Sequence, residues 1–475
     1  MAIPVISIAQ MRAWEQDTWA SGQTEAEVIR RVGACVGQLA LRLTHPGDPV
    51  LILAGKGHNG DDARAAREHL TDREIYILDV EDPSDDFSKL ECHLDARPAL
   101  IIDGLFGIGI NRPLSPEWVR FIERVNAADA QVLAVDVPSG LSAETGEPLG
   151  AAIHASVTLT VGAPKVGMLR ESAWPYVGRL EVAPDVGLVP CPQTSEIQWT
   201  LPQDFAGFPP RRKVASHKGS YGHLAIVAGS PGFHGAAVLA GRGAQRAQPG
   251  LITLYTLDSA YAVVAAQLQA VMVSRWSSEA NLGAGHWSAF LFGPGLASPD
   301  VPDELKKLIR HLWRDSSLPI VVDASALDWL PLEAIRSTAP RVVTPHPGEA
   351  ARLLASTGQQ VQANRVGALR AISKRLANGW VVLKGHETLI GRSTGDIFIN
   401  CSGNPHLAQG GSGDVLSGYL AGLLAQPALS ADPLRTIRYA VWQHGATADA
   451  LQTTKRNWVV EDLIGVLGSV ESDFY

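Results

Sequence analysis

The segment GGSGD at residues 410–414 carries the strongest chemical signal in the sequence. Glycines let backbone N–H groups turn toward an anion, and the apolar run VLSGYLAGLLA that follows predicts a helix whose positive end faces the same point. Asp414 would lie in the first turn of that helix. Phosphoryl transfer needs hydrogen-bond donors around the transferred phosphoryl group and a base near the attacking hydroxyl. This segment supplies both. A capped helix packed closely on its glycines is the weaker alternative, because packing alone requires no acid.

Three more turns follow strand-like runs in the second half of the chain. The run TPHPGE ends at Glu349 and predicts a rigid loop before a helix, whereas the run VLKGHET places Lys384 at a strand end, where it could meet a phosphate. The Gly-Pro-Gly turn that ends at Gly295 allows close backbone approach to a ligand. Taken alone, His346 would more typically form a structural hydrogen bond, and Lys384 would more typically be a lysine on the protein surface. The prediction of a site therefore depends on all these turns together.

A second glycine turn lies in the first half of the chain. Gly55, Gly57 and Gly60 form a G-x-G-x-x-G pattern after a strand, and Asp79 ends the next strand, as in dinucleotide-binding folds. A tight turn without a ligand explains this pattern nearly as well. The turn continues as HNGDD, whose amide and two carboxylates would crowd a bare pyrophosphate and better suit a cation or the hydroxyls of a ligand.

Two further strands of the first half end in an acid, Asp103 and Asp136. Open α/β sheets bind ligands at the carboxyl ends of their strands. Asn59, Asp103 and Ser139 could therefore converge as oxygen ligands of a monovalent or divalent cation. Each aspartate alone is more typical of a helix N-cap or a turn, but three such turns on one sheet edge favour a joint site.

The strands and helices that would position these turns alternate along the chain. Short continuous apolar strands separated by helices predict an α/β fold with parallel sheets covered on both faces. Helices are expected over Glu25–Leu43, from about Asp61 to Leu70, and through most of the segment after Asp414. A proline-rich stretch predicts a linker at residues 191–212 between domains at 1–190 and 213–475.

The bulk composition narrows the class of protein. A chain of 475 residues predicts two or three domains, and a net charge of −8 without a long basic run predicts no nucleic-acid partner. The N-terminal segment lacks the pattern of a signal peptide, and no apolar stretch is long enough to cross a membrane. Four widely spaced cysteines are more typical of reduced thiols than of disulfides or a zinc site. We therefore expect a cytoplasmic protein.

The first half resembles the NAD(P)H-hydrate epimerase domain, which has a Rossmann-like fold, in the segments GKGHNGDDA, DGLFGIG, VDVPSG and APKVGM. The resemblance implies that Asn59, Asp103 and Ser139 hold a potassium ion. It also implies a substrate contact by each of His58, Asn59, Gly60, Asp61, Asp62, Gly107, Ile108, Gly109, Ile110, Asn111, Arg112, Pro113 and Asp136. The usual loop of the family reads NNGGDG. This chain departs from it with Asp61 and Ala63, which remove backbone freedom and add a charge.

The second half resembles the ADP-dependent NAD(P)H-hydrate dehydratases of the ribokinase-like superfamily. The matching stretches include HKGSYGHLAIVAGSPGFHGAAVLA, LFGPGL, VVDASAL, VVTPHPGEAARL, VVLKGHETLI and GNPHLAQGGSGDVLSGYLAGLLA. The resemblance implies that the hydrated nucleotide contacts Ala236, Gly295, His346 and Asp414. It implies that the adenine nucleotide contacts Lys384, Gly385, His386, Glu387, Thr388 and Gly413. The chain departs from the family at Ser325, where a second acid is usual, and at Gln409, where threonine is usual.

The two resemblances imply an enzyme that repairs hydrated NADH and NADPH. Its second domain would use ADP as phosphoryl donor, with Mg²⁺, to dehydrate the S hydrate, and its first domain would interconvert the R and S hydrates and bind K⁺. We expect a homo-oligomer that acts on small molecules. One alternative is a ribokinase-like small-molecule kinase whose first domain binds a ligand without turnover. A simple NAD-dependent dehydrogenase is a weaker alternative, because this function would leave the second half of the chain without a role.

Overall fold

The computed structural model describes residues 2–277, 282, 285–331 and 335–472. The chain divides into two compact units, Ile3–Ser195 and Glu196–Tyr475. Each unit is built from α-helices and from strands that pair mainly in parallel. The predicted α/β class is therefore confirmed.

The first unit alternates strands and helices along its length. Its strands are β1 (Ile3–Pro4), β2 (Pro49–Ala54), β3 (Glu74–Asp79), β4 (Leu100–Gly104), β5 (Gln131–Val135), β6 (Val157–Val161) and β7 (Arg179–Ala183). Its helices are α1 (Ile8–Ala20), α2 (Glu25–Leu43), α3 (His58–Ala65), α4 (Phe87–Asp95), α5 (Pro116–Asn126) and α6 (Trp174–Val177). The sheet has the order β3-β2-β4-β5-β6-β7, and every neighbouring pair is parallel.

Helices cover both faces of this sheet. Successive strand residues point to opposite sides, so each strand contributes side chains to both cores. Leu51 of β2 lies in a core with Leu90 of α4 and Phe121 of α5. The next residue, Ile52, lies in a second core with Val36 of α2. This two-sided burial explains why the strands read as continuous apolar runs rather than as alternating ones.

Helix α3 differs from its prediction. A helix was expected from about Asp61 to Leu70, but α3 begins at His58, because Gly57 is its N-cap with an extended backbone (φ −98°, ψ −178°). After α3 the chain continues as a 3-10 segment over Ala66–His69. Residues His58–Asp62 therefore lie in the first turns of a helix rather than in the loop before it.

The second unit contains the remaining elements. Its strands are β8 (Ile197–Trp199), β9 (His223–Val227), β10 (Leu251–Thr256), β11 (Met272–Arg275), β12 (Ala289–Phe292), β13 (Ile320–Val322), β14 (Arg341–Val343), β15 (Trp380–Leu383), β16 (Leu389–Gly391) and β17 (Ile397–Ile399). Its helices are α7 (His234–Ala247), α8 (Asp258–Gln267), α9 (Asp303–Asp315), α10 (Pro347–Leu354), α11 (Gly358–Ala363), α12 (Arg365–Arg375), α13 (Ser412–Leu424), α14 (Pro427–Ser430), α15 (Pro433–Thr454) and α16 (Val460–Val466).

These strands form one sheet in the order β8-β17-β16-β15-β14-β13-β12-β9-β10-β11. Strands β9 to β15 pair in parallel, whereas β16 pairs antiparallel with β15 and with β17. The parallel part places the turns after β9, β12, β13, β14 and β15 at one edge of the sheet. That edge is where an open α/β sheet binds its ligands.

Helices α7 and α13 pack closely and run in the same direction. A Cβ added to Gly411, just before α13, would lie 2.3 Å from Leu239 Cδ1, and one added to Gly422 would lie 2.7 Å from Ala247 Cβ. Leu239 lies in the first half of α7 and Ala247 at its end. The N-termini of the two helices therefore lie together, beside the carboxyl ends of the strands.

The stretch predicted as a linker at residues 191–212 contains ordered elements of the second unit. Strand β8 pairs with β17, and a 3-10 segment follows at Pro202–Phe205. Trp199 and Phe205 are buried, so part of the proline-rich stretch belongs to the core of this unit.

Helix α15 has 22 residues and is continuous, but its apolar residues are separated by buried polar side chains such as Gln443 and Thr447. Among the described parts of the chain, none of the helices is long and apolar enough to cross a membrane. The four cysteines are free thiols.

Candidate functional site

The phosphate loop of the second unit has the geometry that its glycines predict. Gly411 has a left-handed backbone (φ 95°) and is the N-cap of α13. Asp414 lies in the first turn of this helix. A Cβ added to Gly413 would lie 3.2 Å from Lys384 Nζ, so the ammonium group lies directly against the loop. The positive helix end and this lysine together provide a site for a phosphate.

Carboxylates and one lysine cluster beside the loop. Lys384 Nζ lies 2.9 Å from Asp323 Oδ1 and 3.9 Å from Glu349 Oε2. Burial lowers the pKa of Lys384, but the charges of Asp323 and Glu349 outweigh it, so the net shift is upward. Burial, reinforced by the charge of Asp323, raises the pKa of Asp414 to about 7. Asp414 can therefore exchange a proton near neutral pH, as a general base requires.

Strand ends bring this cluster together. Asp323 directly follows β13, Lys384 directly follows β15, and Glu349 lies in the first turn of α10 after β14. These three strands are neighbours in the sheet. Asp323 was not singled out from the sequence, although it follows an apolar strand in the same way as Asp136 of the first unit.

The residues predicted to contact the hydrated nucleotide lie around the same edge. Ala236 contacts the turn at Gly295, where an added Cβ would lie 3.0 Å from Ala236 Cβ. Ser230 Oγ donates to the Gly295 carbonyl at 2.7 Å and fixes the turn against the start of α7. His346 is the N-cap of α10, and its Nδ1 accepts a hydrogen bond from Gly348 N–H at 3.0 Å. His346 Nε2 lies 3.6 Å from Glu349 Oε1, which links it to the cluster at Lys384.

Residues 384–388, predicted to contact the adenine nucleotide, form a tight loop between β15 and β16. Gly385 has φ 139° and Glu387 has φ 51°, both in the region that ordinarily favours glycine. Arg365 of α12 donates to the carbonyls of Leu383 and His386 and holds the loop, while Thr388 Oγ1 donates to the Gly385 carbonyl at 3.1 Å. Burial raises the pKa of Glu387 to about 7, although Arg365 opposes this effect.

A buried histidine behind the phosphate loop was not predicted. His444 of α15 forms a hydrogen bond with the backbone of Ser412, the first residue of α13. Burial lowers its pKa to about 4, so the ring is neutral. A neutral imidazole adds no charge at this point and supports the start of α13. Nothing local in the sequence indicates this contact, because the two residues lie on different helices.

The first unit contains a cavity of about 1230 Å³ at the carboxyl ends of its strands. Its wall includes most of the residues predicted to contact substrate, namely His58, Asn59, Asp62, Gly107, Ile108, Gly109, Ile110, Asn111, Arg112, Pro113 and Asp136. Helices α1 and α2 complete the wall with residues such as Arg12, Glu15 and Glu25. We call this space the first-unit cavity.

Asp136 forms a buried ion pair at the base of this cavity. Its Oδ1 accepts hydrogen bonds from Lys165 Nζ at 2.5 Å, Val161 N–H at 3.0 Å and Thr160 Oγ1 at 3.1 Å. Lys165 is fully buried, and Asp136 has a left-handed backbone (φ 62°). Strain of this kind is common at functional sites. No role was predicted for Lys165 from the sequence.

The predicted cation ligands are joined by hydrogen bonds. Ser139 Oγ donates to Asp103 Oδ1 at 2.6 Å, and its N–H donates to Asp103 Oδ2 at 2.8 Å. Asn59 Nδ2 donates to the Phe106 carbonyl at 2.9 Å, and Ser139 Oγ lies 3.3 Å from the same carbonyl. Burial raises the pKa of Asp103 to about 6, although its bonds with Ser139 oppose this effect. The three side chains therefore bring several oxygen atoms together in a buried place.

The structure does not bring Gly60, Asp61 or Asp79 to the cavity wall. A Cβ added to Gly60 would lie 2.1 Å from the Gly55 carbonyl, so this glycine serves close backbone packing. Arg64 holds both acids: its Nη1 lies 2.9 Å from Asp61 Oδ1, and its Nε lies 2.7 Å from Asp79 Oδ1. Asp79 is therefore engaged by arginine rather than available to a ribose as in the dinucleotide pattern.

Arg64 also donates to the Gly55 carbonyl at 2.9 Å. One guanidinium thus joins the glycine turn, α3 and the end of β3. We call these contacts the Arg64 clamp. The clamp accommodates the charge of Asp61, because Arg64 forms an ion pair with it outside the cavity.

Two models of protein families match the chain. One, described as NAD(P)H-hydrate dehydratase, matches residues 224–465, and the other, described as YjeF-related protein N-terminus, matches residues 75–167. The first therefore covers the phosphate loop and its cluster, and the second covers the strand-end aspartates of the first unit.

Curated relatives match nearly the whole chain. The chain is 34% identical to the bifunctional NAD(P)H-hydrate repair enzyme of Gloeobacter violaceus over 95% of its own length and 94% of that protein. It is 32% identical to the enzyme of the same name from Moorella thermoacetica, covering 88% of this chain and 86% of that protein. Both units are thus represented in these relatives.

Solved structures match the second unit. The ADP/ATP-dependent NAD(P)H-hydrate dehydratase of Bacillus subtilis, co-crystallised with ATP and Mg²⁺, is 30% identical with a TM-score of 0.50 and covers 56% of this chain and 94% of that one. A ribokinase-like superfamily protein of Enterococcus faecalis has a TM-score of 0.52 at 23% identity, covers 59% of this chain and 98% of that one, and supports the fold. The predicted resemblance is confirmed: this chain belongs to the family of bifunctional NAD(P)H-hydrate repair enzymes.

Proposed function

We propose that the second unit dehydrates the S hydrate of NADH or NADPH with ADP, and that the first unit interconverts the R and S hydrates. One observation carries the dehydratase part: Asp414, with a pKa raised to about 7, lies in the first turn of the helix that follows the phosphate loop. A base and an anion site are thus adjacent, as transfer of a phosphoryl group to a hydroxyl requires.

The dehydration follows from that arrangement. The hydrate carries a hydroxyl on C6 of its reduced ring, and Asp414 accepts the proton of this hydroxyl as its oxygen attacks the terminal phosphorus of ADP. The bond to the bridging oxygen breaks and AMP leaves. The backbone N–H groups of the loop and Lys384 stabilise the charge on the transferred group. Elimination of phosphate from C6, with loss of a ring proton, restores the double bond.

We place the nucleotide against residues 384–388 and Gly413, and the hydrated ring against Ala236, Gly295 and His346. Mg²⁺ would accompany the nucleotide, because this ion is commonly held by phosphates and a few carboxylates. The described residues contain no cluster of three or more histidine, cysteine or acidic side chains arranged as metal ligands. Phosphate oxygens would therefore supply most of its ligands.

We place the epimerisation in the first-unit cavity and a K⁺ ion at Asn59, Asp103 and Ser139. The buried oxygens of Asp103 and Ser139 near the Phe106 carbonyl suit a cation without a preference for nitrogen or sulfur ligands. When bound, the ion supplies a positive charge near the glycine turn. The neighbouring residues of the cavity bind and orient the substrate.

We expect the protein to work in the cytoplasm as a homo-oligomer. The four free cysteines support a reducing compartment. Size-exclusion chromatography with light scattering tests the oligomeric state.

The decisive assay supplies the full chain with both epimers of hydrated NADH, ADP and Mg²⁺, and follows the absorbance of the reduced ring together with AMP release. Complete recovery, faster than spontaneous epimerisation allows, supports both activities. Rapid formation of reduced nucleotide from the S hydrate only would support the dehydratase activity but not the epimerase activity. Without ADP-dependent recovery the proposal fails, and ATP-dependent phosphorylation of a small alcohol would support the kinase alternative.

A further inference from the structure

Two acids of the first-unit cavity have opposite surroundings. Asp136 accepts hydrogen bonds from Lys165, Val161 and Thr160, and Lys165 is its buried ion-pair partner. These contacts occupy the carboxylate of Asp136 and hold it in place at the base of the cavity.

Asp62 lacks such partners. It lies in α3 and lines the same cavity, yet no described residue forms a hydrogen bond or an ion pair with its carboxyl group. The side chain is therefore available to a ligand in the cavity. Its neighbour in sequence, Asp61, is held outside the cavity by Arg64.

The surroundings of Asp62 favour its protonated form. Burial, followed by the charges of Asp136, Asp61 and Glu15, raises its pKa to about 8. The other charged or titratable groups that line the cavity are Arg12, Glu25, Lys56, His58, Glu81 and Arg112, and Lys165 lies behind Asp136. Near neutral pH, Asp62 thus carries a proton. A carboxyl group that lines a cavity and keeps its proton near neutral pH is typical of a general acid.

We propose that Asp62 is the acid that exchanges a proton with the C6 hydroxyl during epimerisation. This inference rests on the proposed function of the first unit. Asp62 gives its proton to the hydroxyl oxygen, the C6–O bond breaks, and water leaves with the bonding electron pair. The lone pair of the ring nitrogen forms a double bond to C6.

The return of water on the opposite face completes the exchange. A new C6–O bond forms, the double-bond pair returns to the ring nitrogen, and the released proton goes back to the Asp62 carboxylate. The product is the other epimer, and the protein is unchanged. No oxidant, reductant or further reactant is required.

The test measures the conversion of purified R hydrate to S hydrate by chromatography, without ADP, in full-length wild type, Asp62→Asn and Asp79→Asn. Asp79→Asn is the matched control, because Asp79 lies outside the cavity wall. In Asp62→Asn we expect the catalysed rate to fall about 100-fold or more, as is typical for loss of a general acid, with little change in KM. Dehydration of S hydrate with ADP in the same molecules reports on the second unit. Circular dichroism and the thermal unfolding of each variant show whether the first unit, which contains Asp62, is folded.

The pH profile adds a second criterion. The wild-type rate should fall as pH rises through about 8, where Asp62 loses its proton. Asp62→Glu should keep a reduced rate with an alkaline decline, and Glu15→Gln should move the decline to lower pH because it removes a neighbouring charge.

The possible outcomes separate the two ideas. A wild-type chain that fails to convert R hydrate overturns the proposed epimerase, and this inference with it. Epimerisation at the wild-type rate in Asp62→Asn overturns this inference alone. If Asp62→Asn fails to fold, the comparison passes to Asp62→Glu, whose profile must retain the alkaline decline.

Discussion

At the scale of single residues, the cluster at the phosphate loop shows how one lysine and several acids divide their roles. Lys384 contacts Asp323 closely and Glu349 at a longer distance, whereas no described residue forms an ion pair with Asp414. Buried carboxylates beside one another cannot all ionise easily, so Asp414 retains its proton to higher pH than an exposed aspartate does.

Asp414→Asn removes the base and leaves the loop in place. We expect kcat of ADP-dependent dehydration to fall by a factor of about 10² to 10⁴, as for other general bases, while ADP binds as before. Stopped assays of AMP and calorimetric titration with ADP measure the two quantities. A variant that keeps its rate would exclude Asp414 as the base.

The same group determines how dehydration depends on pH. The base must be deprotonated, so kcat/KM should rise as pH increases through about 7. Asp323→Asn should move this rise to lower pH, because the charge of Asp323 is one of the causes that raise the pKa of Asp414. An unchanged profile in this variant would contradict the assignment.

A cation at Asn59, Asp103 and Ser139 should stabilise the first unit. We expect K⁺ to raise its thermal unfolding temperature relative to choline at equal ionic strength, because a ligand that binds only the folded state stabilises it. Asp103→Ala should abolish the difference, and Asp79→Asn should retain it. Equal effects of K⁺ in the wild type and Asp103→Ala would argue against this site.

At the scale of elements, close packing of α7 on α13 holds the phosphate loop beside the start of α7. A Cβ added to Gly418 would lie 2.0 Å from the Ala240 carbonyl, so the two helix backbones are in direct contact. Glycine is required there for space rather than for an unusual φ. Any larger residue must push the helices apart.

Gly418→Ala should therefore destabilise the second unit by about 1–3 kcal/mol, which is the usual cost of overpacking. Gly465→Ala is its matched control, because an added Cβ in α16 meets no atom within 4 Å. The control should be neutral or stabilising, since alanine favours helix more than glycine does. Urea unfolding followed by circular dichroism compares the two variants, and equal stabilities would contradict the packing argument.

Local patterns predicted much of this arrangement. The turn at residues 55–62 follows a strand, and the loop at residues 410–414 leads into a helix, as the local patterns predicted, because turn chemistry depends on neighbouring residues. Lys165, Asp323 and His444 escaped prediction, since their partners lie elsewhere in the chain or on other elements. The start of α3 was also misplaced, because the extended backbone of Gly57 cannot be read from its type.

At the scale of the whole molecule, the two proposed activities lie in different compact units of one chain. Hydrate that the second unit rejects as the wrong epimer would be supplied to it again after passing through the first. Joining both activities in one chain keeps them in equal amounts.

A mixture of two variants that each lack one of the two activities should therefore convert both epimers completely. Asp414→Asn retains the epimerase and Asp103→Ala the dehydratase, and together they should convert both epimers, because the hydrate is a small molecule that diffuses between chains. Each variant alone provides the control. A mixture that converts only the S share would mean that epimerisation by one chain does not serve another.

The Arg64 clamp also affects the order in which amino-acid substitutions can accumulate in this loop during evolution. Asp61→Gly made first leaves Arg64 in contact with Asp79 and the Gly55 carbonyl. Arg64→Leu made first would leave the carboxylate of Asp61 without its guanidinium partner, next to an acid whose pKa it already raises. Of the two mutational paths to a loop without either residue, the one that begins at Asp61 passes through an intermediate in which Arg64 still pairs with Asp79.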